Sequence, residues 1–364
     1  MDPSSLFTLA EFRRHARERL PRAAYDYYRG AADGRRTVRR NREAFAAYEI
    51  WPRVLVDVAE RRLETTVLGA PIAFPVMIAP TAYQRMAHPD GECATARAAT
   101  SADTVMVAST LSTTSLEDIA KSAPHGRRWF QLYVHRDRGL TAELVNRAAT
   151  AGYRALVLTV DAPLLGRRLA DVRNGFALPE GMTMANFAAA ASARPEAMRD
   201  SMLAHYVATR HDASLTWRDL EWLRSLSPLP LVLKGVLRAD DARRAVEHGV
   251  DAIAVSNHGG RQLDGSPASI DALEDIVAAV GGRCEVYVDG GVRWGTDVLV
   301  ALALGARAVL VGRPVLWGLA VAGDAGVKRV LEILRDELST AMAIAGAAEI
   351  RAIDRTLVRR RNRA

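Results

Sequence analysis

Residues 229–260 read LPLVLKGVLRADDARRAVEHGVDAIAVSNHGG. Two short apolar runs, Leu229–Gly235 and Ala252–Asn257, flank ADDARRAVEHG, which has helical periodicity and closes on a glycine. Near-continuous apolar strands joined through a helix are the unit of a parallel sheet covered on both faces. Working outward, six more runs of the same kind occur: Phe74–Pro80 (FPVMIAP), Thr104–Ser109 (TVMVAS), Trp129–Val134 (WFQLYV), Ala155–Asp161 (ALVLTVD), Glu285–Gly290 (EVYVDG) and Ala308–Arg313 (AVLVGR). Helical stretches such as GECATARAATSA from Gly91, SLEDIAKS from Ser115, LTAELVNRAATAG from Leu140 and TDVLVALALG from Thr296 lie between them. Eight strand–helix units predict an α/β fold that closes as a (β/α)8 TIM barrel. An open doubly wound sheet is the alternative architecture for the same pattern.

The pattern leaves two segments over. Residues 1–72 precede the first strand and are expected to form a helical cap with a short hairpin across the barrel bottom. Residues 162–214 make a fourth connection far longer than usual, with a low-complexity middle, NFAAAASARPEAMRDS, and read as a mobile lid over the mouth. The whole chain, 1–364, reads as one cofactor-binding domain.

Composition narrows the function classes. Of 364 residues, 49% are hydrophobic and 25% charged, which excludes global disorder. No window has the uncharged length of a membrane span, and the charged N-terminus lacks a signal-peptide core, so a cytoplasmic protein without membrane contact is expected. Two cysteines, Cys93 and Cys284, are too few for a disulfide framework or structural zinc and read as small core residues; no metal is expected. The net charge of +7 is spread along the chain. The exception is the tail with Arg359, Arg360, Arg361 and Arg363, which reads as a solvated C-terminus, so no nucleic-acid partner is expected.

Active sites of such barrels lie at the C-terminal ends of the strands. Here those ends carry Pro80, Thr81 and Ala82; Ser109; Gln131 and Tyr133; Thr159 and Asp161, with Arg168 soon after; Lys234; Ser256, His258 and Arg261; Asp289, Gly291 and Arg293; and Gly312 with Arg313. Glycine-rich turns with arginines after the last two strands form a phosphate grip. No GxGxxG opens a βαβ unit, so a phosphate-bearing mononucleotide fits better than a nicotinamide dinucleotide. Lys234 either pairs with a carboxylate or sits beneath whatever fills the mouth. His258, followed by two glycines and Arg261, is placed to act as general base, while Arg261 and Arg168 suit a carboxylate. Asp161 either pairs with the imidazolium or caps its loop.

In combination, LPRAAYDYYRGAADG, IAPTAYQRMAHPDGE, WFQLYV, LTVDAPLLGRRLADVRNGF, LVLKGV, SNHGGRQLD and DGGVRWGTDVLVALALGARAVLVGRP resemble the FMN-dependent 2-hydroxy acid oxidases and dehydrogenases across nearly the whole chain. The resemblance implies FMN as cofactor. It puts Pro80, Thr81 and Ala82 at the flavin N5 region, Ser109, Gln131 and Thr159 at the ring, and Lys234 at the pyrimidine edge. Ser256 lies near the cofactor, and Asp289, Gly291, Arg293, Gly312 and Arg313 hold the ribityl chain and phosphate. His258 is then the catalytic base, steadied by Asp161. Arg168 and Arg261 bind the substrate carboxylate, and Tyr25 and Tyr133 hydrogen-bond the substrate. A homotetramer or octamer is implied as well.

Ala82 after the Pro-Thr pair points to an oxidase that reduces O2 to H2O2 rather than a dehydrogenase. Leu111 stands where plant-type glycolate oxidases carry Trp, which widens the substrate pocket. The stretches around TAYQRMAHPDGE and GRRLADVRNGFALPEGMTMANF resemble bacterial hydroxymandelate oxidases. They favour an aryl (S)-2-hydroxy acid, with lactate or a medium-chain acid behind it. An FMN barrel without net redox turnover would not need His258 between two arginines. One that only binds would show erosion at one or more strand ends, whereas every matched position is filled. Trp294 beside Arg293 departs from the family pattern.

Overall fold

The computed structural model describes residues 2–187 and 201–361. All eight runs form strands: β1 (Val76–Ile78), β2 (Val105–Ser109), β3 (Arg127–Leu132), β4 (Leu156–Thr159), β5 (Leu231–Val236), β6 (Ala252–Val255), β7 (Glu285–Asp289) and β8 (Ala308–Val311). They pair in parallel, and β8 pairs with β1, with Val309 opposite Val76. The barrel is therefore closed, and the open-sheet alternative falls.

Inward side chains fill the barrel rather than leaving a pore. Met77, Val105, Val107, Trp129, Val157, Val232, Tyr287 and Leu310 are buried together. Trp129 and Tyr287 meet with ring centroids 5.6 Å apart. The hairpin Thr65–Val67/Ala70–Ile72 adds Val67 and Ile72 to this core, and its Leu68 amide donates to Glu285 at the start of β7. The hairpin thus closes the bottom as expected.

The helical part of the cap lies elsewhere. Helices α1 (Leu9–Arg19), α2 (Arg22–Arg29) and α3 (Arg36–Glu43) run along the side and over the mouth, where α3 packs on the turn His258–Gly260. Asn41 of α3 and Asn257 exchange two amide hydrogen bonds, 2.7 and 2.8 Å, inside this contact. These helices therefore help build the site end of the barrel.

The expected 162–214 loop contains helices at Leu169–Arg173 and Met202–Arg210 and a 3-10 turn at Ala185–Phe187. Most of its low-complexity middle, residues 188–200, lies outside the described residues, as does the expected mobility. The basic tail is also more ordered than a solvated terminus: Val358–Arg360 pairs antiparallel with Tyr48–Ile50, and Arg359 sits 3.7 Å over the Trp51 ring. Arg360 and Arg361 reach Asp271 and Glu49 at 2.8 and 3.0 Å, while Arg363 lies outside the described residues. Cys93 and Cys284 are free and half-buried rather than fully in the core. Among the described residues no helix is long and apolar enough to cross a membrane, and no metal-ligating cluster occurs.

Candidate active site

A cavity of about 1160 Å³ opens at the C-terminal ends of the strands. It is lined by Pro80, Thr81, Ala82, Ser109, Leu111, Gln131, Tyr133, Thr159, Arg168, Lys234, His258, Arg261, Asp289, Gly291, Arg293, Gly312 and Arg313. Three expected residues do not line it: Asp161, Ser256 and Tyr25.

Along one wall the strand ends are tied side to side. Ser109 Oγ donates to Gln131 Oε1 (3.2 Å), and Gln131 Nε2 donates to Thr159 Oγ1 (3.0 Å). Further round, Lys234 Nζ donates to Ser256 Oγ (2.9 Å) and forms a buried ion pair with Asp289 Oδ2 (2.9 Å). Burial alone pushes the Lys234 ammonium towards neutrality, but Asp289 and Asp161 outweigh it and hold the pKa above the usual lysine value. Lys234 thus pairs with a carboxylate and also lines the cavity. Asp289 Oδ1 is buried without a partner, a state usually relieved by a bound group.

His258 follows β6 in a left-handed turn, with φ 58°. Ser256 Oγ accepts its backbone amide at 3.0 Å, so Ser256 supports both Lys234 and His258 from behind. His258 Nδ1 lies 2.9 Å from Asp161 Oδ1, which leaves Nε2 as the ring nitrogen for a ligand. Asp161 therefore pairs with the imidazole from behind the cavity wall. Gly235, in the β5 bulge, makes room for it: its φ is 115°, and a Cβ there would lie 2.7 Å from the Asp161 side chain. Burial lowers the His258 pKa despite Asp161, with Lys234 and Arg168 adding to the drop, so the imidazole is neutral near pH 7. Burial opposes charge on Asp161, yet His258 and Lys234 keep it more acidic than usual.

Opposite His258 stand two guanidinium groups. Arg168 Nε donates weakly to the Arg261 carbonyl at 3.4 Å, and Arg261 Nη1 donates to the Tyr27 and Gly30 carbonyls at 2.8 and 3.0 Å. No carboxylate lies within ion-pair distance of either among the described residues. Burial and the neighbouring Arg261 charge lower the Arg168 pKa to about 10. A buried Arg168 beside a partly buried Arg261, with no carboxylate in ion-pair contact among the described residues, makes a seat for an anion.

The expected Tyr25 faces away, into a separate cleft with Arg13 and Arg293, while Tyr27 enters the cavity. Residues two apart on a helix point in nearly opposite directions, so α2 cannot present both. Tyr27 stacks on Phe176 with ring centroids 4.4 Å apart, under the Arg261 guanidinium at 5.0 Å. Tyr133 stacks on His211 at 4.5 Å. Leu111, Leu165, Leu203 and Val207 supply aliphatic surface, the last two from helix Met202–Arg210.

At the far end of the cavity Arg313 donates to the Tyr28, Gly30 and Gly259 carbonyls, and Arg293 lies 5.0 Å over Trp317. Burial, then other arginines, depress the pKa of both, that of Arg293 to about 10. Gly291, at φ 97°, touches the cap so closely that any Cβ would overlap the Asn41 carbonyl. Trp294 is half-exposed at the start of the next helix and does not line the cavity.

The family model described as FMN-dependent dehydrogenase matches residues 16–360. The chain belongs to the FMN-dependent dehydrogenase family. Among its relatives, an L-lactate oxidase of Nostoc sp. is 55% identical over 96% of this chain and 97% of the relative. A human 2-hydroxyacid oxidase 1 is 51% identical over 98% and 97%, respectively. A crystal structure of a mandelate oxidase with (S)-4-hydroxymandelic acid superposes with TM-score 0.93 at 48% identity, covering 96% of this chain and 98% of that one.

FMN is the cofactor of this FMN-dependent dehydrogenase family member, and the cavity suits it. Arg293 and Arg313 lack carboxylate partners among the described residues, as a phosphate seat requires, and the unpartnered Asp289 oxygen offers an acceptor for a hydroxyl. Sequence reasoning missed Tyr27, Leu203, Val207 and His211. A signal for Tyr27 existed in YDYY, which offers three tyrosines without saying which faces inward.

Proposed function

We propose that the chain oxidises an (S)-2-hydroxy acid to the 2-oxo acid while O2 is reduced to H2O2, with an aryl acid such as mandelate or 4-hydroxymandelate as substrate. The observation that carries this is His258, held at Nδ1 by Asp161 at 2.9 Å, sharing one cavity with Arg168 and Arg261, neither of which has an ion-pair partner among the described residues. The two arginines bind the substrate carboxylate. They fix the carbinol carbon beside His258, so that deprotonation is effectively intramolecular. His258 Nε2 takes up a substrate proton, and Asp161 stabilises the imidazolium that results. Tyr133 and Tyr27 hydrogen-bond the substrate oxygens; the proposal thus transfers to Tyr27 the role the sequence gave Tyr25.

Bound FMN supplies the two-electron acceptor. We assign its ring to Pro80, Thr81, Ala82, Ser109, Gln131, Thr159 and Lys234. Its ribityl phosphate falls to Asp289, Gly291, Arg293, Gly312 and Arg313, and Ser256 acts through Lys234 and His258. The aryl choice is supported by the mandelate oxidase likeness and by the aliphatic wall of Leu111, Leu165, Leu203 and Val207. Lactate is the second reading, favoured by the lactate oxidase relative. The choice of O2 over another acceptor is supported by Ala82 after the Pro-Thr pair, through the family resemblance, and by relatives named as oxidases. We further propose one domain acting in the cytoplasm as a homotetramer or octamer, which a light-scattering mass will test.

The deciding experiment is an anaerobic absorbance titration with (S)-mandelate, (S)-lactate and glycolate, followed by air. Fastest bleaching by mandelate, with recolouring and peroxide release in air, is the expected result. Faster bleaching by lactate replaces the aryl reading, and bleaching without recolouring makes the enzyme a dehydrogenase.

A further inference from the structure

Behind the phosphate end of the cofactor cavity lies a second, solvent-open cleft of about 1490 Å³. Arg293 and Arg313 belong to both spaces and form the floor of the cleft. Its outer wall carries Arg13, Arg29, Arg35, Arg39 and Arg42, with Glu43 as the acid among the lining residues. Seven arginines against one glutamate leave a net +6 at one concave surface. Arg29 is 3.9 Å from Asp26, but no carboxylate pairs with the other six arginines among the described residues.

This arrangement is costly for the cap. Arg35, Arg39 and Arg42 recur at i, i+4 and i+7 along α3 and its N-cap, a spacing at which like charges destabilise a helix. The repulsion reaches the floor, where Arg42 and Arg13 add to the burial that lowers Arg293 and Arg35 adds to that on Arg313. A cofactor phosphate dianion on Arg293 and Arg313 would still leave +4, so the cleft retains capacity for another anion.

We propose that this cleft is a second anion site, taking a small diphosphate-bearing ligand beside the bound cofactor. The inference rests on the cofactor phosphate lying between Arg293 and Arg313, as assigned above. Arginine forks match phosphate oxygens in bidentate fashion, and a concave site floored by Arg293 and Arg313 suits a small molecule rather than a nucleic-acid duplex.

The test is calorimetric titration of the FMN-loaded enzyme with inorganic pyrophosphate, then ADP, in phosphate-free buffer at low and physiological salt. Expected is one site per chain with FMN retained, and affinity that falls at least tenfold in Arg39→Ser/Arg42→Ser and weakens with salt. No binding, unchanged affinity in that variant, or citrate binding as tightly as pyrophosphate overturns the proposal. So does binding accompanied by FMN release, since the ligand then occupies the cofactor's own seat. Oxidation of (S)-mandelate, (S)-lactate and glycolate is read on the same preparation, so a protein that binds pyrophosphate but oxidises none of them keeps the site and loses the activity assignment.

Discussion

Replacing His211 by Phe should make the protein less sensitive to acid. His211, which caps the end of helix Met202–Arg210, and His135 beside it have relative exposures of 3% and 1%, and burial lowers both pKa values to about 4. Among the described residues neither ring nitrogen of His211 has a hydrogen-bond partner, whereas His135 Nε2 is 2.8 Å from the Tyr206 hydroxyl. A histidine whose folded pKa is depressed contributes stability that is present above its unfolded value and lost as pH falls through the folded one. The window therefore runs from 6.5 down to about 4. From pH 7 to pH 5 the unfolded chain gains a proton that His211 refuses, over about 1.5 pH units at about 1.36 kcal/mol each, or about 2 kcal/mol. For a chain of this length that is roughly 2–3 °C in Tm. Phe keeps the stack on Tyr133 and removes the titration. Thermal unfolding of FMN-loaded protein at both pH values should show the variant losing about 2 kcal/mol less than wild type. Equal losses in the two proteins would refute the reasoning.

Three further outcomes are expected. Asp161→Asn should slow anaerobic flavin reduction roughly 10²-fold and move the acid limb of its pH profile lower, because the carboxylate that raises the His258 pKa is gone; stopped-flow reduction across pH measures both. Tyr27→Phe should raise the substrate KM while Tyr25→Phe leaves it within about twofold, since one phenol enters the cavity and the other faces the arginine cleft. Leu111→Trp should suppress turnover of mandelate relative to glycolate, and an unchanged ratio in steady-state assays removes Leu111 from the substrate pocket.

The barrel was legible because each strand is apolar on both faces and bounded by turn residues, a local signal that needs no knowledge of partners. The rim was legible for the same reason: once Lys234 and His258 are assigned to strand ends, the fold brings them together. Side-chain direction within a helix was not, and the choice between Tyr25 and Tyr27 turns on how α2 is rotated, which its distant contacts with Tyr83 and Phe176 decide. The pairing of RTLVRR with Tyr48–Ile50 was hidden because the tail's composition favours solvent, and its partner strand lies some 300 residues earlier. Helix Met202–Arg210 was lost in a segment whose low-complexity neighbour masks its amphipathic pattern. Ser256 illustrates a finer limit, since position alone does not separate a residue that touches a ligand from one that braces those that do.

That late pairing also bears on the order in which the molecule can be completed. Tyr48–Ile50 is synthesised some 310 residues before its partner Val358–Arg360. At about 5–20 residues per second, the interval between them is roughly 15–60 s. During that time the N-terminal segment, including the tyrosine and arginines destined for the mouth, must wait without one of its anchors. The two strands thus act as a clasp that cannot close until the later one has been made.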